Sequence, residues 1–347
     1  MILTSGEIYF IGEFDLKSGQ RTEYVKIGIV RHGAKEERTS EDRLLEHQTG
    51  NPRRLEIIHT VTTDAVEAIE TNLHYRFARH RVYGEWMRLD SKLLEEAKAE
   101  AESLRDQLAT HVKTFQRAEE LKNQVSNEGK FAPTIDSEYW FGKYQDSKVM
   151  SKACDEAIDK YNALLEVAAD EGEEVGEFVT VQERAGARRF DQKAFMEKHP
   201  DIYAKFVTEE RSVKGRFLVT SVKKWSRSLD EISPDLNSIL NQFNSELDQI
   251  KGNKISSSLH NLYLGVLSMQ AYADWENKLA AAQLKNLCGN NEGIEGICTW
   301  KRAEQFDEKF DRKAFMESYP DLVEEFMTTS APTKAVIIEP KAAYKEE

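Results

Sequence analysis

The chain has 347 residues, of which 40% are hydrophobic and 31% charged, and 61 acidic against 48 basic side chains give a formal net charge of -13. That length calls for two or three domains, and that composition is globular rather than disordered. The acidic balance excludes a protein that coats nucleic acid through bulk charge. No apolar run approaches the roughly 18 residues of a membrane span, and "MILTSGEIYF" lacks the basic-then-apolar pattern of a signal peptide. Cys154, Cys288 and Cys298 form no CxxC pair and no disulfide framework. The expectation is a cytoplasmic protein.

Charge is uneven. Residues 1–90 carry 13 Lys+Arg and 15 Asp+Glu, so nearly all of the excess lies in the remainder; the same ninety residues hold five of the eight histidines. "EIYFIGEF" and "EYVKIGIV", joined by "DLKSGQRT", read as a β-hairpin. Next, "SEDRLLEHQTGNP" predicts a short helix capped by Ser40 and ended by Gly50 and Pro52. "LEIIHTV" is a third strand. Asp64 and Glu67 then offer a capping box to the helix that holds Glu70. "EWMRL" closes the unit, giving the order ββαβαβ, a small mixed sheet with flanking helices.

From Asp90 the period changes. Leu94, Ala97, Ala101, Leu104, Leu108, His111, Phe115 and Ala118 form a heptad seam. The seam predicts an intramolecular helical hairpin with residues 144–169, or an oligomer through residues 92–125; "SNEGKFAPT" is the linker. "RRFDQKAFMEKHPDIYAKF" at 188–206 then returns as "EKFDRKAFMESYPDLVEEF" at 308–326, an offset of 120 without a gap at which Gly176 also meets Gly296 and Leu164 meets Leu284. Each copy reads as helix, turn, short strand ("EFVTV" or "ICTW"), helix and strand ("RFLVTSV" or "AVIIE"), preceded by two long helices (92–125 and 144–169, then 234–250 and 257–287). A duplicated unit explains this. Its phenylalanines predict that each helix packs on its own copy's strands, and Asp191 and Asp311 fit helix capping. The class is therefore α+β, with domains at 1–90, 91–225 and 226–347.

The first domain resembles the GIY-YIG nuclease superfamily. "EIYFIG" and "VKIGIV" are similar to its paired strands, and "RLLEHQTGNP" with "AIETNLHYRF...GEW" is similar to its phage-encoded KIG-type branch. The resemblance places Tyr9 at the first-motif tyrosine, Lys26 at the second, Gly28 at the second-motif glycine and Arg43 at the helix arginine. It places His47 at a histidine common there and Glu70 at the metal-binding glutamate. His74 and the Glu85-Trp86 pair look like hallmarks of the branch. Glu7 and Lys26 depart from the usual residues, and the late asparagine of many members has no clear counterpart.

The residues make chemical sense together. One carboxylate, Glu70, with waters and a phosphate suffices for Mg²⁺ or Mn²⁺, since Mg²⁺ keeps much of its hydration shell. Tyr9 placed between Lys26 and Arg43 would have a lowered pKa and could take a proton from water. Arg43 offers a planar fork to phosphate and shares a helix face with His47. Gly28, Arg43 and His74 are the expected substrate contacts. These readings imply a metal-dependent DNA endonuclease. The alternatives are an inactive nucleic-acid-binding protein, or an interaction protein whose acidic tail binds a protein partner. The tail is similar to the C-terminal segment of YqaJ-type phage recombination exonucleases, without their nuclease core. Its acidity suits a partner surface or spacer better than a DNA clamp.

Overall fold

The computed structural model describes residues 4–33, 38–49, 51–77, 80–83, 85–127, 129–170, 179–250 and 255–338. The head begins with β1 (Gly6–Phe14), β2 (Arg21–Arg31), α1 (Ser40–Gln48), β3 (Arg54–Thr63) and α2 (Val66–Arg76). It continues with β4 (Arg81–Tyr83), β5 (Trp86–Arg88) and the long α3 (Ser91–Lys122). The strands make one antiparallel sheet in the order β3-β1-β2-β5-β4, with β2 central and β1 between β3 and β2. Tyr9 lies opposite Gly28 on one side and Thr60 on the other.

The pleat sends alternate residues of β1 to opposite faces. Ile8 and Phe10 enter a core with Ile69 and Leu73 of α2, with Phe77 just after it, and with Leu94, Ala97 and Ala101 of α3. Tyr9 and Ile11 face the other way, toward Leu55 and Leu44 of α1. The first turns of α3 therefore complete the head's own core.

Two helix starts differ from expectation. Thr39, not Ser40, caps α1: its extended backbone lets the hydroxyl accept from Asp42 N–H at 3.1 Å while the Asp42 carboxylate accepts from Thr39 N–H at 2.8 Å. Ser40 is buried and donates to Glu7 at 2.8 Å. Glu67, expected in a capping box with Asp64, instead meets Arg31 at 2.7 Å. Gly50 lies outside the described residues.

The heptad seam also finds a different partner. After α4 (Ile135–Asp170), which starts nine residues before the expected 144, and the short α5 (Gln192–Lys198) and α6 (Pro200–Lys205) of the first repeat, come α7 (Leu229–Ile232), α8 (Pro234–Asp248) and α9 (Ser257–Cys288). The central helix is α9, which lies between α3 and α4. Phe115 of α3 packs on Trp275 of α9 with ring centroids 5.2 Å apart, and Tyr161 of α4 stacks on Tyr263 at 4.2 Å. The reason is that α9 buries residues on more than one face, including Leu259, Val266, Ala273, Leu279 and Leu284, so it needs cover from both neighbours. The seam is thus occupied within the chain. Arg302 closes the far end: almost fully buried, it donates to the carbonyls of Leu121 and Gly289 and stacks on Trp300 at 4.0 Å, so one guanidinium joins the C-termini of α3 and α9.

The repeated segments have the same local structure. The first has β6 (Val179–Arg184), β7 (Arg188–Phe190), α5 (Gln192–Lys198), α6 (Pro200–Lys205), β8 (Val207–Lys214) and β9 (Leu218–Val219). After the short β10 (Gly293–Ile294), the second has β11 (Cys298–Thr299), β12 (Ala303–Phe310), α10 (Arg312–Ser318), α11 (Pro320–Glu325), β13 (Met327–Thr329) and β14 (Thr333–Ile338). Asp191 and Asp311 each accept from the N–H three residues on, at 3.0 Å. Gly176 lies outside the described residues.

The strands, however, are exchanged. β8 pairs with β12, β7 with β13 and β6 with β14, so every ribbon joins one copy to the other. The registers obey a pseudo-two-fold: Phe310 faces Val207 as Phe190 faces Met327. Asp311 N–H donates to Phe206 O at 2.7 Å, as Asp191 N–H does to Phe326 O at 2.8 Å. The expectation that each helix packs on its own copy's strands is corrected. The phenylalanines of one copy bury against those of the other, with Phe195 and Phe315 at 4.5 Å, because neither set alone could leave water.

Candidate active site

Tyr9 sits on β1 with its ring against β2. A Cβ at position 28 would lie 2.5 Å from the Tyr9 hydroxyl oxygen, so only glycine leaves room for it. Gly28 therefore seats Tyr9, a packing role that its expected place among the substrate contacts did not include. Above the ring, α1 presents Arg43 and His47 one turn apart. Arg43 Nε donates to the Tyr9 oxygen at 3.5 Å, and His47 Nε2 lies 3.4 Å from that same oxygen. The far end of Arg43 holds Glu46 at 2.5 Å.

Lys26 is 5% exposed, and its ammonium is bound by Glu85, a residue absent from the expected site. Glu85 is held in turn by its backbone, whose carbonyl accepts from Ile27 N–H at 3.3 Å. The "GEW" stretch signalled that Glu85 mattered, but not that it belonged to Lys26. This pair corrects the expected electrostatics. Burial raises the Tyr9 pKa, Arg43 only partly offsets it, and the charges of Glu85 and Glu70 push the same way. The phenol is neutral chiefly because it is buried, and the Glu85 that binds Lys26 adds to the effect. The Glu85 carboxyl, pushed up by burial, is pulled below its ordinary value by Lys26.

His47 goes the other way. Burial, then the positive charges of Lys26 and Arg43, lower its pKa, so it is a neutral imidazole at neutral pH. Glu70 projects from α2 with its pKa pushed up to about 7, first by burial and then by Glu85, with Arg31 and Lys26 offsetting only in part. It is a carboxylate short of positive charge. His74, expected to touch substrate, is engaged on both sides: Nε2 lies 3.1 Å from the Ile27 carbonyl oxygen and Nδ1 lies 2.5 Å from Arg81. Burial, then Arg81, lowers its pKa, so it is a neutral bridge between α2 and β2. Nε2 donates and Nδ1 accepts in the tautomer that satisfies both contacts.

Of the expected site residues, Arg43 and His47 meet at the Tyr9 hydroxyl, Glu70 acts on it through its charge, and Lys26 acts through its charge on His47 and Glu70. Gly28 and His74 shape and anchor that place. Among the described residues, no group of three or more His, Cys, Asp or Glu is arranged to hold a metal ion.

The sequence profile of the T5orf172 domain matches residues 6–103, which spans the whole sheet, α1, α2 and the first turns of α3. This phage-associated domain is compatible with a nuclease-like, DNA-binding function. No curated protein matches the chain, and no solved structure does. No described helix is long and apolar enough to cross a membrane.

Proposed function

We propose that the head is a metal-dependent DNA endonuclease of the GIY-YIG superfamily, in its phage-encoded KIG-type branch. The observation that carries this is the meeting of Arg43 and His47 at the Tyr9 hydroxyl beside an undercompensated carboxylate, Glu70. Glu70 fits a hard divalent cation. It is an anionic oxygen donor short of positive charge, and since no group of three or more His, Cys, Asp or Glu among the described residues is arranged to hold a metal, water and phosphate would complete the shell. When bound, Mg²⁺ or Mn²⁺ supplies charge stabilisation to the phosphoryl and leaving oxygens.

The chain's own residues do the rest. Arg43 moves from Glu46 onto a phosphate oxygen and uncovers the Tyr9 hydroxyl. That hydroxyl takes a proton from the attacking water as it passes its own to neutral His47. The hydroxide forms the new P–O bond, the opposite P–O bond breaks, and the leaving oxygen takes a proton from solvent. Tyr9 then relays rather than stores the proton, as its raised pKa requires. The tail's similarity to YqaJ-type exonucleases supports a phage setting, with the tail in an accessory part.

A binding-only reading is favoured by two observations: Tyr9 has no exposed surface, and Lys26 is already paired. Supercoiled plasmid and single-stranded DNA, with Mg²⁺ and with EDTA, separate the two. The nuclease reading expects metal-dependent nicking by the wild type and none by Glu70→Gln. DNA binding without cleavage in Mg²⁺ or Mn²⁺ would leave the binding module.

A further inference from the structure

The two exchanged ribbons occupy equivalent places about the pseudo-two-fold, so what distinguishes them is their side chains. The first, β8 with β12, pairs 207–214 with 303–310; the second is made of β7 with β13 and the adjoining part of β6 with β14, pairing 188–190 with 327–329 and 183–184 with 333–334 across a short interruption. The first carries three Lys/Arg and five Asp/Glu, a net of -2; the second carries four Lys/Arg and one Glu, a net of +3. The change is position by position. Glu304 and Glu308 correspond to Arg184 and Arg188, and Glu209 and Glu210 correspond to Thr329 and Ser330.

Pairing sharpens the contrast. The cations of the first ribbon meet carboxylates across the strands: Arg211 meets Glu304, Lys214 meets Asp307 at 2.5 Å, and Lys309 meets Glu210 at 3.4 Å. On the second, Arg184, Arg188 and Arg189 are all exposed. Arg188 meets Glu324 at 2.7 Å, an exposed pair that exchanges at little cost, and no described residue pairs with Arg184 or Arg189.

We propose that this second ribbon is a docking surface for duplex DNA, with Arg184, Arg188 and Arg189 on the phosphates. Charge complementarity selects the partner: a chain of net charge -13 can approach a polyanion only through a local basic element. Shape selects the duplex, because the major groove of DNA admits a two-stranded β-ribbon whereas that of A-form RNA is too narrow. The exposed hydroxyl of Thr329 adds a neutral phosphate donor beside the arginines, whereas that of Thr328 donates to the Arg189 carbonyl at 3.1 Å. The acidic ribbon turns DNA away from the opposite side of the pseudo-two-fold. The assignment does not depend on whether the head cuts.

The test uses the full chain carrying Glu70→Gln, in EDTA, so that cleavage plays no part. Anisotropy of a fluorescein-labelled duplex of random sequence is followed over a salt series. Replacing Arg184, Arg188 and Arg189 together by Ser should weaken binding about tenfold or more, and reduce the slope of log K against log salt by about 2.7, at roughly 0.9 per phosphate contact. The corresponding triple Lys variant should keep most of the slope, and Glu209→Ser with Glu210→Ser should leave binding unchanged or tighter. An unchanged slope in the Ser variant overturns the proposal. So does a Lys variant as weak as the Ser variant, which would mark a structural effect. Duplex RNA that competes as well as duplex DNA would overturn the choice of partner.

Discussion

The Lys26 ammonium is bound by the Glu85 carboxylate rather than left free to polarise Tyr9. Glu85→Gln should therefore act in two ways. Stability falls by about 1–2 kcal/mol, less than for a fully buried pair because the Glu85 side chain is 44% exposed. At the same time a negative charge beside Glu70 disappears, so its pKa falls and the acid limb of the cleavage profile moves to lower pH. A pH–rate profile with an unmoved acid limb would detach Glu85 from the site.

Glu70 has a folded-state pKa of about 7, above its ordinary value of 4.5. The sign follows: the folded state favours the protonated form, so stability is greatest below the ordinary value and declines as pH rises through about 7. Glu70→Gln should match the wild type near pH 5 and be more stable at pH 8, by roughly 1–3 kcal/mol after allowance for partial exposure. Mg²⁺ should raise the wild-type Tm at pH 8 and leave the variant unmoved. Equal melts at pH 8, without metal, would show that Glu70 is not strained in the fold.

Tyr9 and His47 share one hydrogen-bond path. Tyr9→Phe and His47→Ala should each slow cleavage by about 10²–10⁴-fold, and the double variant should be little worse than either. Independent, multiplying losses in kcat would mean that the two groups act on different protons.

At position 28 the space is already taken by the Tyr9 hydroxyl. Gly28→Ala should cost about 1–3 kcal/mol through overpacking and displace the phenol, lowering kcat as well as Tm. Gly142 in α4 is a control, since nothing lies within 4 Å of its added Cβ and Ala favours a helix. A Gly28→Ala variant as stable and active as wild type would show that Tyr9 is seated elsewhere.

The head's core continues into α3, so a chain ending at Asp90 should not fold. Removing Leu94, Ala97 and Ala101 bares Ile8, Phe10 and Ile69, and the single change Leu94→Ala should already cost about 2–4 kcal/mol. Far-UV circular dichroism of fragments ending at Asp90 and after α3 compares the two. A folded Asp90 fragment would move the boundary back.

The strands around Tyr9 and the helix bearing Arg43 were legible in the sequence, because alternation and 3.6-residue periodicity report one face at a time. The convergence of Tyr9, Arg43 and His47 was legible through the resemblance. What was not legible depends on which distant element arrives. Lys26 read as a free cation because its partner stands 59 residues away. The seam of α3 read as seeking α4 because nothing in its own residues reveals that α9 buries more than one face. The Phe-rich repeats showed that each unit had something to bury, but not against whose strands. Ser40 was one residue from the true cap because Ser is the better N-cap by type, and only the backbone geometry gives the place to Thr39.

The exchange of strands between the two repeats also sets an order of events during synthesis. β6 emerges from the ribosome long before β14, the strand with which it pairs, and β7 and β8 likewise wait for β13 and β12. The head needs nothing beyond α3 for its sheet and can close while translation continues. The ribbons belong to the slow class of contacts, in which a long loop must close before any pairing rewards it. Until Phe310, Phe315 and Phe326 have been made, the first repeat carries Phe190, Phe195 and Phe206 without their counterparts, and over that interval the nascent chain is most exposed to aggregation and chaperone capture.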